Sequence, residues 1–126
     1  NEGLNGGIGF PCGVSKDNCA AHFSPSSKMI LDEKSVYKID FGTHVNGFII
    51  DCAFSITFNP ELESLLEASK DATMTGIKMA GVDQKIGEWG ECVQEVLESY
   101  EATINGNTCN IISMRNLGGH NIKQYK

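Results

Sequence analysis

The chain has 126 residues, with 10 Lys and Arg against 16 Asp and Glu, for a formal net charge of −6 at pH 7. At 40% hydrophobic and 21% charged residues it has the make-up of a folded domain with a core, not of a disordered tail. The acidic balance argues against a nucleic-acid or anionic-membrane binder, and no apolar run approaches the roughly 20 residues of a membrane span.

Residues 3–27 are rich in Gly, Asn, Ser and Pro and read as loops with one short strand. Glycines 6, 7, 9 and 13 surround Phe10-Pro11, where the backbone is expected to make close approaches. From Val36 to Phe58 the pattern turns to β-branched and aromatic residues, interrupted by Asn46-Gly47. That dipeptide is a strong hairpin signal, because both central residues of a type I′ turn need positive φ. Asn59-Pro60 then reads as a helix N-cap followed by proline in the first turn. Leu62, Leu65, Leu66, Ser69, Ala72, Thr73, Ile77 and Ala80 recur at helical spacing and predict a core-facing stripe ending near Gly81. A second helix carries Trp89, Cys92, Val93, Val96, Leu97 and Tyr100 inward, with Glu88, Glu91, Glu95 and Glu98 mostly elsewhere. A short hairpin is predicted over Glu101–Ile104 and Asn107–Ile112, turning at Asn105-Gly106.

Asp40 and Asp51 stand out because aspartate is depleted in strands. A two-residue turn at Asn46-Gly47 sets Asp40 opposite Ala53 and Asp51 opposite Gly42, which puts both aspartates on one face. They are then diagonal neighbours, roughly 7–8 Å apart at the backbone. Carboxylates so placed repel each other; they can share a proton, bind cations or stay solvated. Hard oxygen ligands of this kind suit a pair of divalent ions about 3.5–4 Å apart. His44 shares that face beside the turn and is expected to be exposed. His22 precedes a Ser/Pro loop, and His120 follows Gly118-Gly119, where missing side chains let a ligand approach. The five cysteines are odd in number and contain no C-x-x-C pair, so reduced thiols in a cytosol-like compartment are expected.

Three stretches carry a resemblance: Gly7-Ile8-Gly9-Phe10-Pro11-Cys12-Gly13, Asn18-Cys19-Ala20-Ala21-His22-Phe23, and the run from Lys38 to Phe54. With Asp71-Ala72-Thr73, Glu98-Ser99-Tyr100-Glu101 and Asn116-Leu117-Gly118-Gly119-His120 following in order, the chain resembles the type 2 methionine aminopeptidases in their eukaryotic form. The resemblance implies an α+β, pita-bread fold: a curved antiparallel sheet flanked by helices around a dinuclear metal site. It implies that Asp40 binds one metal, Asp51 bridges both and His120 binds the other. It places His22 beside the metals as a catalytic and substrate-contacting residue, and Phe10 in the wall of the methionine pocket. His44 has no ligand role in that pattern. The implied reaction is hydrolytic removal of the initiator methionine from nascent chains in the cytoplasm. Mn²⁺, Co²⁺, Fe²⁺ and Zn²⁺ all suit the implied ligands.

The resemblance also implies two glutamate ligands and a second histidine beyond His120, and the chain stops before them. Asn1 in place of Met and the glycine-flanked end lead us to expect part of one catalytic domain, incomplete at both ends and inactive alone. Ribosome association is expected only of parts outside it, and neither membrane nor nucleic acid is an expected partner. Two other readings compete: a prolidase or aminopeptidase-P-like relative, and a non-catalytic binding module of the same fold. The Phe10-Pro11 loop and the His22 motif weigh against the first, and Asp40, Asp51 and His120 together weigh against the second.

Overall fold

The computed structural model describes residues 2–126. The backbone gathers into two compact units, one ending at Phe58 and taking in Gly118–Lys126, the other spanning Asn59–Leu117. Both combine antiparallel strands with helices, so the α+β expectation holds. Among the described residues no helix is long and apolar enough to cross a membrane.

The first unit opens with one helical turn, α1 (Glu2–Asn5), and a sheet of β1 (Gly6–Lys16), β2 (Val36–Val45) and β3 (Phe48–Thr57) in that order. The β2–β3 hairpin has the predicted register: Val45 faces Phe48, Asp40 faces Ala53 and Gly42 faces Asp51. Its turn residues Asn46 and Gly47 sit at φ 50° and 79°, which a type I′ turn requires. The opposite face is apolar and open, with Phe41, Val45, Phe48, Ile50 and Phe54 exposed.

Strand β1 departs from the expectation of loops with one short strand; it runs for 11 residues against β2. Its glycines hide the alternation that marks a strand, and the pairing comes from distant β2, so local pattern could not reveal it. Ile8 faces Thr43, Phe10 faces Gly42 and Gly13 faces Asp40, so β1 spends one extra residue on each side of Phe10. Two bulges therefore flank Phe10, and they accommodate Pro11, which donates no ladder hydrogen bond.

The loop between β1 and β2 is fastened to the sheet by buried polar groups. Ser15 is buried and its Oγ accepts from the Phe23 N–H at 3.3 Å, while the Val14 N–H donates to the Phe23 carbonyl at 2.8 Å. Tyr37 is wholly buried and its hydroxyl accepts from the Asp32 N–H at 2.7 Å. The Asp32 carboxylate pairs with the Lys16 ammonium.

In the second unit the Asn59 side chain caps a 3₁₀ turn (Pro60–Leu62) by accepting from the Glu61 N–H at 3.1 Å, as the Asn-Pro signal predicts. Helix α2 (Glu63–Met79) follows, then α3 (Ile86–Glu98) and the hairpin of β4 (Glu101–Ile104) and β5 (Asn107–Asn110). The buried residues of α2 are Ala68, Ala72 and Gly76, of which the predicted stripe contains Ala72; Leu65 of that stripe packs on the core, whereas Ile77 remains 62% exposed. At Gly76 the small residue is required because α3 approaches closely. The Trp89 indole donates to the Gly76 carbonyl at 2.7 Å, and a Cβ on Gly76 would lie 3.1 Å from Val93 Cγ2. Ala68, Ala102 and Ile111 form the core, packed by Leu65, Leu97, Tyr100 and Ile104. Glu88, Glu91, Glu95 and Glu98 are all exposed.

Candidate active site

Within the first unit, Phe10, Pro11, Gly13, His22, Ser24, Asp40, Asp51 and His120 line one cavity of about 330 Å³. Several local devices deliver them. The hairpin register brings Asp40 and Asp51 to one face over Gly42 and Ala53. The bulges in β1 turn both Phe10 and Pro11 toward the cavity. Gly42 has no side chain to oppose Phe10; a Cβ there would stand 2.2 Å from the Phe10 Cε1 atom. Gly13 is buried against Asp40, where its own Cβ would meet that of Asp40 at 3.7 Å. His22 is exposed at φ 64°, and the paired Phe23 beside it fixes its backbone. A non-glycine residue in that left-handed region costs on the order of 1 kcal/mol, which the bonds from Val14 and Ser15 must hold in place.

The polar atoms are unevenly satisfied. Asp40 Oδ1 is buried and has no hydrogen-bond partner. An orphaned buried acceptor costs roughly 1–3 kcal/mol unless a proton or cation meets it. His120 Nε2 lies 3.4 Å from Asp51 Oδ2, and its Nδ1 lies 3.0 Å from the Asn121 carbonyl. A carbonyl only accepts, so Nδ1 carries the proton. With Nδ1 donating, Nε2 is the ring nitrogen that faces the Asp51 carboxylate. Ligating histidines commonly use this tautomer, with the second ring nitrogen donating to a backbone carbonyl. Among the described residues no three His, Cys, Asp or Glu side chains converge closely enough to chelate one ion.

His44 does not line the cavity. It is half-buried rather than exposed, because its Nδ1 accepts from the Gly47 N–H at 3.2 Å and its ring meets that of Tyr125 edge-on at 5.9 Å. Pro11, Gly13 and Ser24 also line the cavity, although the sequence assigns them no site role. Their signal was adjacency to Phe10 and His22.

Known proteins are similar in sequence. The model of metallopeptidase family M24 matches residues 1–124. Methionine aminopeptidase 2 of Komagataella phaffii is 53% identical over 127 residues, covering 99% of this chain and 28% of that protein. Methionine aminopeptidase 2 of Dictyostelium discoideum is 52% identical over 126 residues, 98% of this chain and 29% of that protein. Methionine aminopeptidase 2-1 of Talaromyces marneffei is 50% identical over 126 residues, 98% of this chain and 28% of that protein. The chain thus spans less than a third of the length of these curated relatives. With the family model running from the bulged strand through both helices to the segment that carries His120, the chain belongs to metallopeptidase family M24.

Proposed function

We propose that the protein containing this chain is a metal-dependent methionine aminopeptidase that removes the initiator methionine from nascent polypeptides in the cytoplasm. One observation carries the reading: a single cavity is lined by an unpartnered buried carboxylate oxygen, a carboxylate–imidazole pair and an aromatic wall. The identities of 50–53% to proteins named methionine aminopeptidase 2 support it. The single-domain reading goes with it, since the family model crosses both units.

The donor set fits divalent metals. Asp40 and Asp51 offer hard oxygens, and His120 offers a nitrogen in the tautomer that ligands adopt. In this reading Asp40 would hold one ion, His120 would hold a second and Asp51 would contribute to both. When bound, the ions supply Lewis acidity toward the scissile carbonyl and a nucleophilic hydroxide at neutral pH. The chain's own residues do the rest. Phe10 packs the thioether side chain of the substrate and excludes water from it. His22 donates a hydrogen bond where negative charge develops on the scissile carbonyl oxygen. The left-handed backbone at His22 and the fastened loop behind it keep that donor in place before substrate arrives.

The test is methionine release from a Met-Ala-Ser peptide by the intact protein, after chelation and again after adding Mn²⁺ or Co²⁺. Release only with metal, and none from a Leu-Ala-Ser control, is the expected result. Release unaffected by complete chelation would refute the reading.

A further inference from the structure

His120 stands on a segment without strand or helix, and its side chain is 69% exposed. Something must hold that imidazole against Asp51, and the fastening lies five residues on, at Tyr125. The Tyr125 N–H donates to the Gly47 carbonyl at 2.8 Å, and its hydroxyl donates to the Leu4 carbonyl at 2.9 Å. Its ring covers Gly47 so closely that a Cβ there would lie 2.5 Å from the Tyr125 Cδ2 atom. The same ring meets His44 edge-on, and Gln124 Nε2 donates to the Asn46 carbonyl at 2.9 Å. The Asn46 N–H in turn donates to the Asn5 carbonyl at 2.9 Å, so the hairpin tip is itself pinned to α1. A bare Gly47 serves two ends: it supplies the positive φ of the turn and leaves the floor on which the tyrosine ring lies.

We propose that Tyr125 is a positioning residue that latches the His120 segment onto the β2–β3 hairpin tip and so presets the imidazole for metal. The inference rests on the metal role of His120 proposed above. The hairpin that supplies Asp40 and Asp51 also supplies the anchor at Asn46-Gly47, so one rigid element registers all three donors. Outer groups that orient a metal ligand typically contribute about 10–100-fold in affinity.

The experiment is titration of the intact protein with Mn²⁺ alone by calorimetry, with near-UV circular dichroism to follow folding. The variants are Tyr125→Ala, Tyr125→Phe, His120→Ala and the double variant His120→Ala/Tyr125→Ala. Tyr125→Ala should weaken Mn²⁺ by about 10–100-fold. Tyr125→Phe keeps the ring and the backbone bond and should restore most of that loss. The double variant should bind as His120→Ala does, because the latch acts through the imidazole; a merely structural role would add its loss in both backgrounds. Wild-type affinity in Tyr125→Ala, or an equal loss in both backgrounds, would overturn the proposal. An unchanged affinity in His120→Ala would instead overturn the metal assignment itself. Should Tyr125→Ala lose its near-UV signal, Gly47→Ala decides, since its methyl displaces the ring while Tyr125 stays: weakened Mn²⁺ binding that vanishes in the His120→Ala background supports the latch, and unchanged binding refutes it.

Discussion

Adding one methyl group at Gly42 probes how the sheet shapes the pocket. A Cβ there would lie 2.2, 2.7 and 2.9 Å from three atoms of the Phe10 ring, and these are its three nearest neighbours. Carbon atoms rest about 3.5–4.0 Å apart, so the ring must retreat by at least ~1.3 Å. Gly42 is buried and its φ is not in the left-handed region, so Gly42→Ala adds no backbone strain and its cost is all overpacking. Overpacking of this kind costs roughly 1–3 kcal/mol. The retreating ring leaves the wall of the cavity, and a misplacement near 1 Å can cost up to about 10²-fold in rate. Urea unfolding and kcat/KM on a Met-Ala-Ser peptide measure the two effects in the intact protein. Because the three nearest atoms all belong to Phe10, most of the stability loss should vanish in a Phe10→Ala background. A midpoint and kcat/KM unchanged in Gly42→Ala, or an equal stability loss with and without the Phe10 ring, would refute the reasoning.

Three further outcomes are expected. Asp51→Asn should lose bound metal more severely than Asp40→Asn, because a bridging carboxylate neutralises two cations; metal content by mass spectrometry after desalting decides, and full retention in Asp51→Asn contradicts the bridge. His22→Ala should lower kcat by about 10²–10⁴ with little change in metal content; loss of metal would show that His22 is a ligand instead. The Lys16 ammonium, then Ser35 and the Lys34 N–H, hold the Asp32 carboxyl well below the usual carboxylate range. With its folded value depressed, Asp32 contributes stability that is complete above about pH 4 and fades as pH falls through the folded value. The stability gap between wild type and Asp32→Asn, read by urea unfolding, should therefore shrink in acid, and a gap constant down to about pH 2 would contradict this.

The two turns were legible from the chain because Asn-Gly states its own geometry. Asn46-Gly47 and Asn105-Gly106 both adopt the positive φ pair, and the first of them sets the register that brings Asp40 and Asp51 to one face. Asn59-Pro60 was equally direct. Local pattern ran out where partners are remote. Strand β1 looked like loop because its glycines carry no periodicity, and its bulges exist only relative to β2. The expected α2 stripe includes Ala72 but misses Ala68 and Gly76; Gly76 is buried because Trp89 and Val93 come close, a contact the helix's own pattern does not contain. For the site, the carboxylate pair followed from register, whereas His22, His120 and Phe10 came from family resemblance. The contact of His120 with Asp51 spans 69 residues of sequence, and that of Tyr125 with Leu4 spans 121, distances at which no local pattern speaks.

The central claim is that Asp40, Asp51 and His120 hold the catalytic metals. Anomalous scattering from crystals of the intact protein loaded with Mn²⁺ tests it most directly. The account predicts two peaks about 3.5–4 Å apart, with Asp51 touching both, Asp40 one and His120 the other. Manganese bound elsewhere, with neither aspartate nor His120 in contact, would contradict it.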